Sequence, residues 1–183
     1  LGNPPWDKLT LELDEFFAVR APKIADSSLT QAERQKLIEE LEDEDPALYQ
    51  EYCTENRSKD CRKRFLKNSG RFPTSTHGIL NLYAPFSELA LNEINSQGRA
   101  GIVVQTGIAT DSHTQEFFRK LVDEKRLSSL YDFKKDNNYF KEVDKKFSLL
   151  SLVGEDMAED QFELGFYLDT VDDLSEDQNR FTV

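Results

Sequence analysis

Helical and extended hydrophobic patterns alternate in the second half of the chain, and this alternation restricts the fold more than any other feature. A helical pattern over residues 78–95 precedes an apolar run at 100–105. A second helical pattern, expected to start at an Asp111 or Ser112 cap, precedes a strand pattern at 127–133. Helices that alternate with strands are typical of an α/β fold with parallel strands and right-handed crossovers.

Two more strand patterns lie at residues 146–153 and 162–169. The loops that join these final strands are too short for a helical crossover, so at least one strand is expected to be antiparallel. The sequence therefore predicts an α/β sheet of parallel strands plus at least one antiparallel strand.

The first half of the chain carries helix signals. Thr30 and Glu33 have the spacing of a capping box, which predicts a helix from there to about Glu44. Pro46 suits the first position of the next helix, which the pattern extends toward Phe65.

The composition excludes several classes of protein. No stretch approaches the roughly 20 apolar residues of a membrane span, and no secretory signal pattern opens the sequence. Cys53 and Cys61 lack the spacing of zinc ligands, so we expect no metal site, two reduced thiols and a cytoplasmic location. A net charge of −12 argues against a uniformly basic nucleic-acid surface.

A local basic segment interrupts this acidic chain, with Asp60 as its only acid. Its cations are Arg57, Lys59, Arg62, Lys63, Arg64, Lys67 and Arg71. Such a segment can contact DNA phosphates, and a solvated helix face with salt-bridge partners is the competing interpretation.

The chain opens with Asn3-Pro4-Pro5-Trp6. Two prolines fix two backbone torsions and remove two N–H groups, so the loop can direct its carbonyls outward. The Asn3 side-chain oxygen and a neighbouring carbonyl are two acceptors, which suffices for both hydrogens of an exocyclic amine. The Trp6 indole can stack on a base that has left the duplex. A plain turn after a strand is the alternative.

Further segments accompany this tetrapeptide in a recognisable order. Residues 69–73 read Ser-Gly-Arg-Phe-Pro, residues 81–86 read Asn-Leu-Tyr-Ala-Pro-Phe, and residues 98–104 read Gly-Arg-Ala-Gly-Ile-Val-Val. Together they make nearly the whole chain similar to adenine-N6 DNA methyltransferases of the gamma arrangement. The sequence resembles in particular the large type IIG restriction–modification and phage-defence (BREX-like) enzymes, in which a helical insertion follows Asn-Pro-Pro-Trp.

The resemblance implies roles for individual residues. Asn3 and the Pro4 carbonyl would hold the adenine amine, and Pro5 would stiffen the loop. Trp6 and Phe140 would be the two aromatic walls for the flipped base; a core or hairpin aromatic is the alternative for Phe140.

The same resemblance implies a role for Phe86, which would pack on the adenine ring of the cofactor S-adenosylmethionine; a helix-core residue is the alternative. The strand at 100–105 departs from the family, which usually has proline after it where this chain has Gln105-Thr106. Because the methyl donor is an activated sulfonium, no general base is expected, and His77 and His113 are expected in ordinary loop or capping roles.

The Gly-rich cofactor loop of such folds is not found in the sequence. The expectation is therefore a central fragment: residues 1–23 start the methyltransferase fold, 24–72 form a helical insertion, and 73–183 complete a partial Rossmann-like domain. Its partners would be double-stranded DNA, an upstream cofactor-binding half and a downstream target-recognition domain. Alone, the chain is expected to bind S-adenosylmethionine weakly, to be inactive, and to expose a sheet edge that can self-associate.

Two other functions remain open at this stage. The same tetrapeptide serves methylation of RNA bases and of protein glutamine. A non-enzymatic acidic α/β interaction module is the third interpretation.

Overall fold

The computed structural model describes residues 1–135, 139 and 145–183. The chain forms two compact units. Lys8–Asn68 form a helical unit, and Leu1–Asp7 together with Ser69–Val183 form a sheet unit. The helical unit contains most of the predicted insertion at 24–72 and also residues 8–23.

Three helices build the helical unit: α1 (Leu13–Phe17), α2 (Gln31–Glu44) and α3 (Pro46–Asn68). The predicted capping box is confirmed, because the Thr30 hydroxyl accepts from the Glu33 N–H and the Glu33 carboxylate accepts from the Thr30 N–H. The predicted start of α3 at Pro46 is also confirmed.

The core of the helical unit is small and aromatic. Phe17 and Ile38 are buried with Leu41 and Leu48. Tyr52 of α3 packs against Phe17, with ring centres 5.7 Å apart. These contacts bury the apolar face of two helices that are otherwise highly charged, and such burial supplies most of the stability of short helices.

Among its described residues, the sheet unit contains three helices and five strands. They are α4 (Tyr83–Glu93), β1 (Arg99–Gln105), α5 (Gly107–Thr110), α6 (Gln115–Asp123), β2 (Leu127–Phe133), β3 (Phe147–Val153), β4 (Glu163–Leu168) and β5 (Phe181–Thr182). Short 3₁₀ turns follow β3 and β4. No helix within the described residues is long and apolar enough to cross a membrane.

The strand order is β1-β3-β2-β4-β5. β3 is antiparallel to both β1 and β2, so these two strands run in the same direction with β3 between them. β4 is parallel to β2, and β5 is antiparallel to β4. Gly2 forms a parallel bridge to Ile102 on the free side of β1. The predicted combination of parallel and antiparallel strands is therefore confirmed.

The strands that run in the same direction, β1, β2 and β4, all end at one edge of this sheet. The loop after Gly2, the end of β1, the end of β2 and the end of β4 lie there, together with the start of β3. We call it the carboxyl edge. Ligands of open α/β sheets bind in the crevice outside this edge.

The two faces of the sheet are packed differently. Helices α4, α5 and α6 cover one face, where Phe117 and Leu121 pack with Val104, Leu130 and Leu150. On the other face, a second cluster contains Phe133, Phe147 and Leu168.

Two predicted helix starts are wrong. α4 begins at Tyr83 instead of residue 78, because Gly78 has a φ of +57° and its Cα lies against the His113 ring, where no side chain would fit. The second helix does not start at an Asp111 or Ser112 cap. Asp111 instead ends the short helix α5, with its N–H bonded to the Gly107 carbonyl, and α6 begins at Gln115.

Candidate active site

The loop of Asn3 to Trp6 is held at both of its ends. Before it, the Gly2 N–H donates to the Gly101 carbonyl and the Gly2 carbonyl accepts from the Val103 N–H, both at 2.9 Å. After it, the Asp7 carbonyl accepts from the Leu82 N–H at 3.0 Å. The loop therefore leaves the sheet at the carboxyl edge with a fixed direction, and its two prolines reduce its freedom further.

Asn3 is exposed, and no hydrogen bond joins its side chain to the described part of the protein. Its amide is therefore available to a ligand. The Pro4 carbonyl follows it directly, and neither Pro4 nor Pro5 has an N–H that would compete for an acceptor. An exocyclic amine has two hydrogens, which matches two neighbouring acceptors.

Trp6 is anchored in the structure. Its indole Nε1 donates to the Val103 carbonyl at 3.3 Å, and its ring is half-buried against both core clusters of the sheet unit. An aromatic ring fixed in this way loses little entropy when a base stacks on its remaining surface. Its predicted role as a stacking partner stays a prediction.

Asn3, Pro4 and Pro5 line a cleft with a volume of ≈ 440 Å³. Phe86 and Ala90 from α4 form another wall, and Leu1, Gly2 and residues 100–102 of β1 complete the lining. No charged side chain lines it among the described residues. The volume falls within the usual range for small-molecule pockets, roughly 300 to 1,000 Å³.

Phe86 is brought next to the tetrapeptide, as the resemblance implies. It lies in the first turn of α4 and is 43% exposed, whereas its neighbours Tyr83, Ala84 and Pro85 are buried. A core role for Phe86 therefore does not fit the structure. Its contact with a cofactor ring stays a prediction.

The opposite side of α4 carries a buried carboxylate. Glu88 is completely buried and accepts from the Thr74 hydroxyl at 2.8 Å and the Ser75 hydroxyl at 2.6 Å. The backbone N–H groups of Thr74 and Ser75 also donate to it. Hydrogen bonds from hydroxyl and backbone donors offset the cost of burying a carboxylate. They fix the residues that follow the Ser69–Pro73 segment onto the helix that presents Phe86.

Thr106, which follows Gln105 where the resembled family has proline, takes part in a partly buried polar network. The Thr106 hydroxyl donates to the Asp132 carboxylate, and the Ser148 hydroxyl donates to the same oxygen at 3.1 Å. Sequence reasoning missed Asp132, although a lone acid near the end of an apolar strand was the available signal. The network joins β1, β2 and β3 at the carboxyl edge.

Tyr83 lies beside this edge in the core. Burial, and then the nearby Asp111 carboxylate, raise the pKa of the Tyr83 hydroxyl well above its usual value. The hydroxyl therefore stays protonated at neutral pH and cannot act as a base.

Phe140 lies outside the described residues, so its position relative to Trp6 remains a prediction. The described aromatics of this edge form a cluster. Phe133 and Phe147 stack with ring centres 4.7 Å apart, and the Tyr139 ring meets both edge-on.

The predicted phosphate-contacting cations divide between the two units. Arg57, Arg62 and Arg64 are exposed on α3, and none of the three pairs with an acid within the described chain. Lys63, Arg64 and Lys67 line a shallow groove of ≈ 220 Å³ with Asp60. Contact of these cations with DNA phosphates stays a prediction.

The two remaining cations, Lys59 and Arg71, have other contacts. Lys59 donates to the Lys8 carbonyl at 3.3 Å in the helical unit. Arg71 belongs to the sheet unit, and its guanidinium lies 5.7 Å from the centre of the Phe72 ring.

The two histidines lie outside the cleft. His77 Nε2 is 2.9 Å from the Pro73 carbonyl and 2.9 Å from the Glu116 carboxylate, and His113 packs on Gly78. Cys53 and Cys61 are free thiols. The described residues contain no cluster of three or more side chains suited to a metal ion.

No protein-family model and no curated protein matches the chain. Among the solved structures that resemble it at low identity are three enzymes whose full chains are much longer. The Type ISP restriction-modification enzyme LlaBIII bound to DNA is 13% identical, with a TM-score of 0.46 over 90% of this chain and 10% of that chain. A nuclease-deletion mutant of the Type ISP enzyme LlaGI, in complex with a DNA substrate mimic, is 14% identical, with a TM-score of 0.44 over 91% of this chain and 14% of that chain. The type IIG restriction endonuclease BpuSI is 16% identical, with a TM-score of 0.43 over 60% of this chain and 12% of that chain.

Proposed function

We propose that this chain forms the substrate side of a DNA methyltransferase site, which transfers a methyl group to the N6 amine of a flipped adenine. The parent activity would belong to a restriction–modification or phage-defence system. One observation carries the proposal: Asn3, Pro4 and Pro5 share a single cleft with Phe86, beside the first half of β1.

The residues of the loop have defined tasks in this reaction. The Asn3 side-chain oxygen and the Pro4 carbonyl accept the two hydrogens of the adenine amine and orient its lone pair toward the cleft. As the nitrogen gains positive charge during transfer, both acceptors stabilise it more strongly. Because the loop is fixed at both ends, little reorganisation is needed when the substrate binds.

Trp6 supports the extruded base. The cost of unstacking a base is offset by stacking on an aromatic ring, worth roughly 1 to 3 kcal/mol. The indole is already immobilised by its bond to the Val103 carbonyl. We propose that Phe140 provides the opposite wall.

The cleft suits part of the cofactor. S-adenosylmethionine supplies an activated methyl group when bound. The apolar wall of Phe86, Ala90 and Ile102 fits the edge and face of its adenine ring, whereas the uncharged lining offers no partner for its amino-acid part. Residues in addition to this lining are therefore needed for tight binding, and we expect the 183-residue chain alone to bind the cofactor weakly.

Contact with the DNA backbone is assigned to α3. Its exposed arginines carry positive charge that acids of the described chain do not neutralise, and phosphate contacts supply much of the affinity for DNA.

Methyl transfer in the full-length protein that contains these residues tests the proposal. Replacing Asn3 with Ala should lower the transfer rate by roughly 100-fold or more, since it removes an interaction that strengthens in the transition state. DNA affinity should stay within about two-fold, because phosphate contacts dominate it.

Asn92→Ala is the matched control, since Asn92 is exposed on α4 and does not line the cleft. Activity of Asn3→Ala near the wild-type level would contradict the assignment of the amine-binding loop. Transfer to RNA or protein glutamine, with none to DNA, would contradict the proposed substrate.

A further inference from the structure

Tyr167, near the end of β4, has an unusual backbone conformation. Its φ is +61°, which is the left-handed region that a bulky side chain rarely adopts. The pairing register between β2 and β4 shifts around it, from Tyr131 opposite Gly165 to Phe133 opposite Leu168. Tyr167 therefore belongs to a bulge, in which it and Phe166 lie opposite the single residue Asp132, and bulges commonly redirect a side chain next to a functional site.

The Tyr167 ring lies over the carboxyl edge. The Lys146 Nζ is 5.5 Å from the centre of this ring. Lys146 directly precedes β3, and β2 separates β3 from β4, so the two backbones are about 10 Å apart. Both side chains must therefore extend across the end of β2 to meet. They occupy the edge from which the Asn3–Trp6 loop also emerges.

Core packing does not explain this position. Tyr167 is 69% exposed, and its hydroxyl has no hydrogen-bond partner in the described part of the chain. A strained backbone that exposes a large ring gains little stability in return. Asp169, two residues after Tyr167, is paired with Lys134 at 2.8 Å, so it opposes the charge of Lys146 less strongly.

We propose that Tyr167 and Lys146 form a second contact for the nucleic-acid strand, in which the ring stacks on a base and the ammonium group meets a phosphate. An aromatic face next to a cation is the combination that binds single-stranded nucleic acid without reading its sequence. This inference rests on the proposed DNA substrate and adds to it a site across the sheet edge from Asn3.

The test measures binding of a short fluorescein-labelled single-stranded oligodeoxynucleotide to the 183-residue chain at low salt. Tyr167→Gly and Tyr167→Asn remove the ring and tolerate a positive φ, so they should not lower the melting temperature. Both should weaken binding by roughly 5- to 100-fold, whereas Tyr167→Phe and Tyr167→Trp should retain it.

Lys146→Gln should also weaken binding and reduce its salt dependence, and Lys36→Gln on α2 is the matched control. Unchanged binding by Tyr167→Gly would overturn the inference while leaving the role of Asn3 intact. A wild-type chain that binds no oligonucleotide would overturn this contact, whereas methyl transfer to DNA by the full-length protein tests the DNA substrate separately. A clear loss of melting temperature in Tyr167→Gly would assign the ring a packing role instead.

Discussion

Phe86 and Glu88 lie two residues apart on α4 and have different roles. Glu88 points into the protein and bonds Thr74 and Ser75, whereas Phe86 faces the cleft beside Pro4 and Pro5. The buried carboxylate fixes the helix, and a fixed helix holds the exposed ring in place. Binding sites are most accurate when rigid elements support them in this way.

Replacing Phe86 with Ala tests the cofactor side of the cleft. In the full-length protein, we expect the KM for S-adenosylmethionine to rise roughly ten-fold, because a ring–ring contact and its buried apolar area are lost. The value of kcat should change less, since this contact forms in the ground state as well as in the transition state. Steady-state kinetics with varied cofactor concentration measure both quantities.

Phe65→Ala is the matched control, because Phe65 is an exposed phenylalanine on α3 of the helical unit. An unchanged KM for the cofactor in Phe86→Ala would contradict the assignment of this wall. A fall in kcat alone would instead place Phe86 against the reacting base.

The positions of individual site residues were predictable where those residues belong to a motif with a known chemical role. The pattern of Asn3 to Trp6 identified a loop that the structure does place at a cleft, together with Phe86. The position of Tyr167 was not predictable, because its backbone conformation arises from a register shift between strands that are distant in sequence. The buried Asp132 depends in the same way on hydroxyls from two other strands.

At the scale of elements, α2 has a well-defined start. Hydrogen bonds from the Thr30 hydroxyl and then from its backbone N–H lower the pKa of the Glu33 carboxyl below its usual value of 4.5. A carboxyl whose pKa is lowered on folding stabilises the protein above its unfolded pKa. This contribution is lost as the pH falls from about 4.5 through the folded pKa.

Thr30→Ala should therefore destabilise the helical unit at neutral pH, by about 1 kcal/mol. The difference from wild type should shrink as the pH falls below about 4.5 and through the lowered pKa of Glu33, because the protonated carboxyl no longer accepts the capping hydrogen bonds. Chemical unfolding of both proteins, followed by circular dichroism at several pH values, measures this difference in stability. Thr54→Ala, within α3, should show no such pH dependence, and equal behaviour of the two variants would argue against the cap.

The proposed contact between the exposed arginines of α3 and DNA phosphates leads to a separate prediction. Changing Arg57, Arg62 and Arg64 to Gln should lower the slope of log K against log salt for DNA binding by up to about three, roughly one for each lost phosphate contact. Fluorescence anisotropy over a salt series measures the slope. The alternative is a solvated helix face that contacts no phosphate, which would leave the slope unchanged.

Lys23→Gln combined with Lys36→Gln serves as the control on the same unit, and its slope should stay close to wild type. A control that lowers the slope as much as the arginine changes would show a general charge effect.

The local sequence predicted where helices and strands lie more accurately than it predicted the residues at which they begin. The predicted strands at 100–105, 127–133 and 146–153 agree with β1, β2 and β3 within one residue. The start of α4 was misplaced because the left-handed conformation of Gly78 stops the helical pattern. The start of α6 was misplaced because α5 takes up the residues before Asp111.

For the whole molecule, the order of the strands could not be derived from the sequence. β3 lies between β1 and β2 through pairings that span distant parts of the chain, such as Val104 with Ser148. Local patterns specify that a segment is extended, and long-range packing decides which strand lies beside it. The same packing brings the Asn3–Trp6 loop, the end of β2 and Tyr167 to one edge.

The identity of the methylated base tests the central proposal most directly. The full-length protein would be incubated with DNA and S-adenosylmethionine that carries an isotope-labelled methyl group, and the nucleosides would be separated by mass spectrometry. We predict labelled N6-methyladenine with the wild-type protein and none above background with Asn3→Ala. Label on another base or on no base, or equal labelling of adenine by Asn3→Ala, would contradict the account.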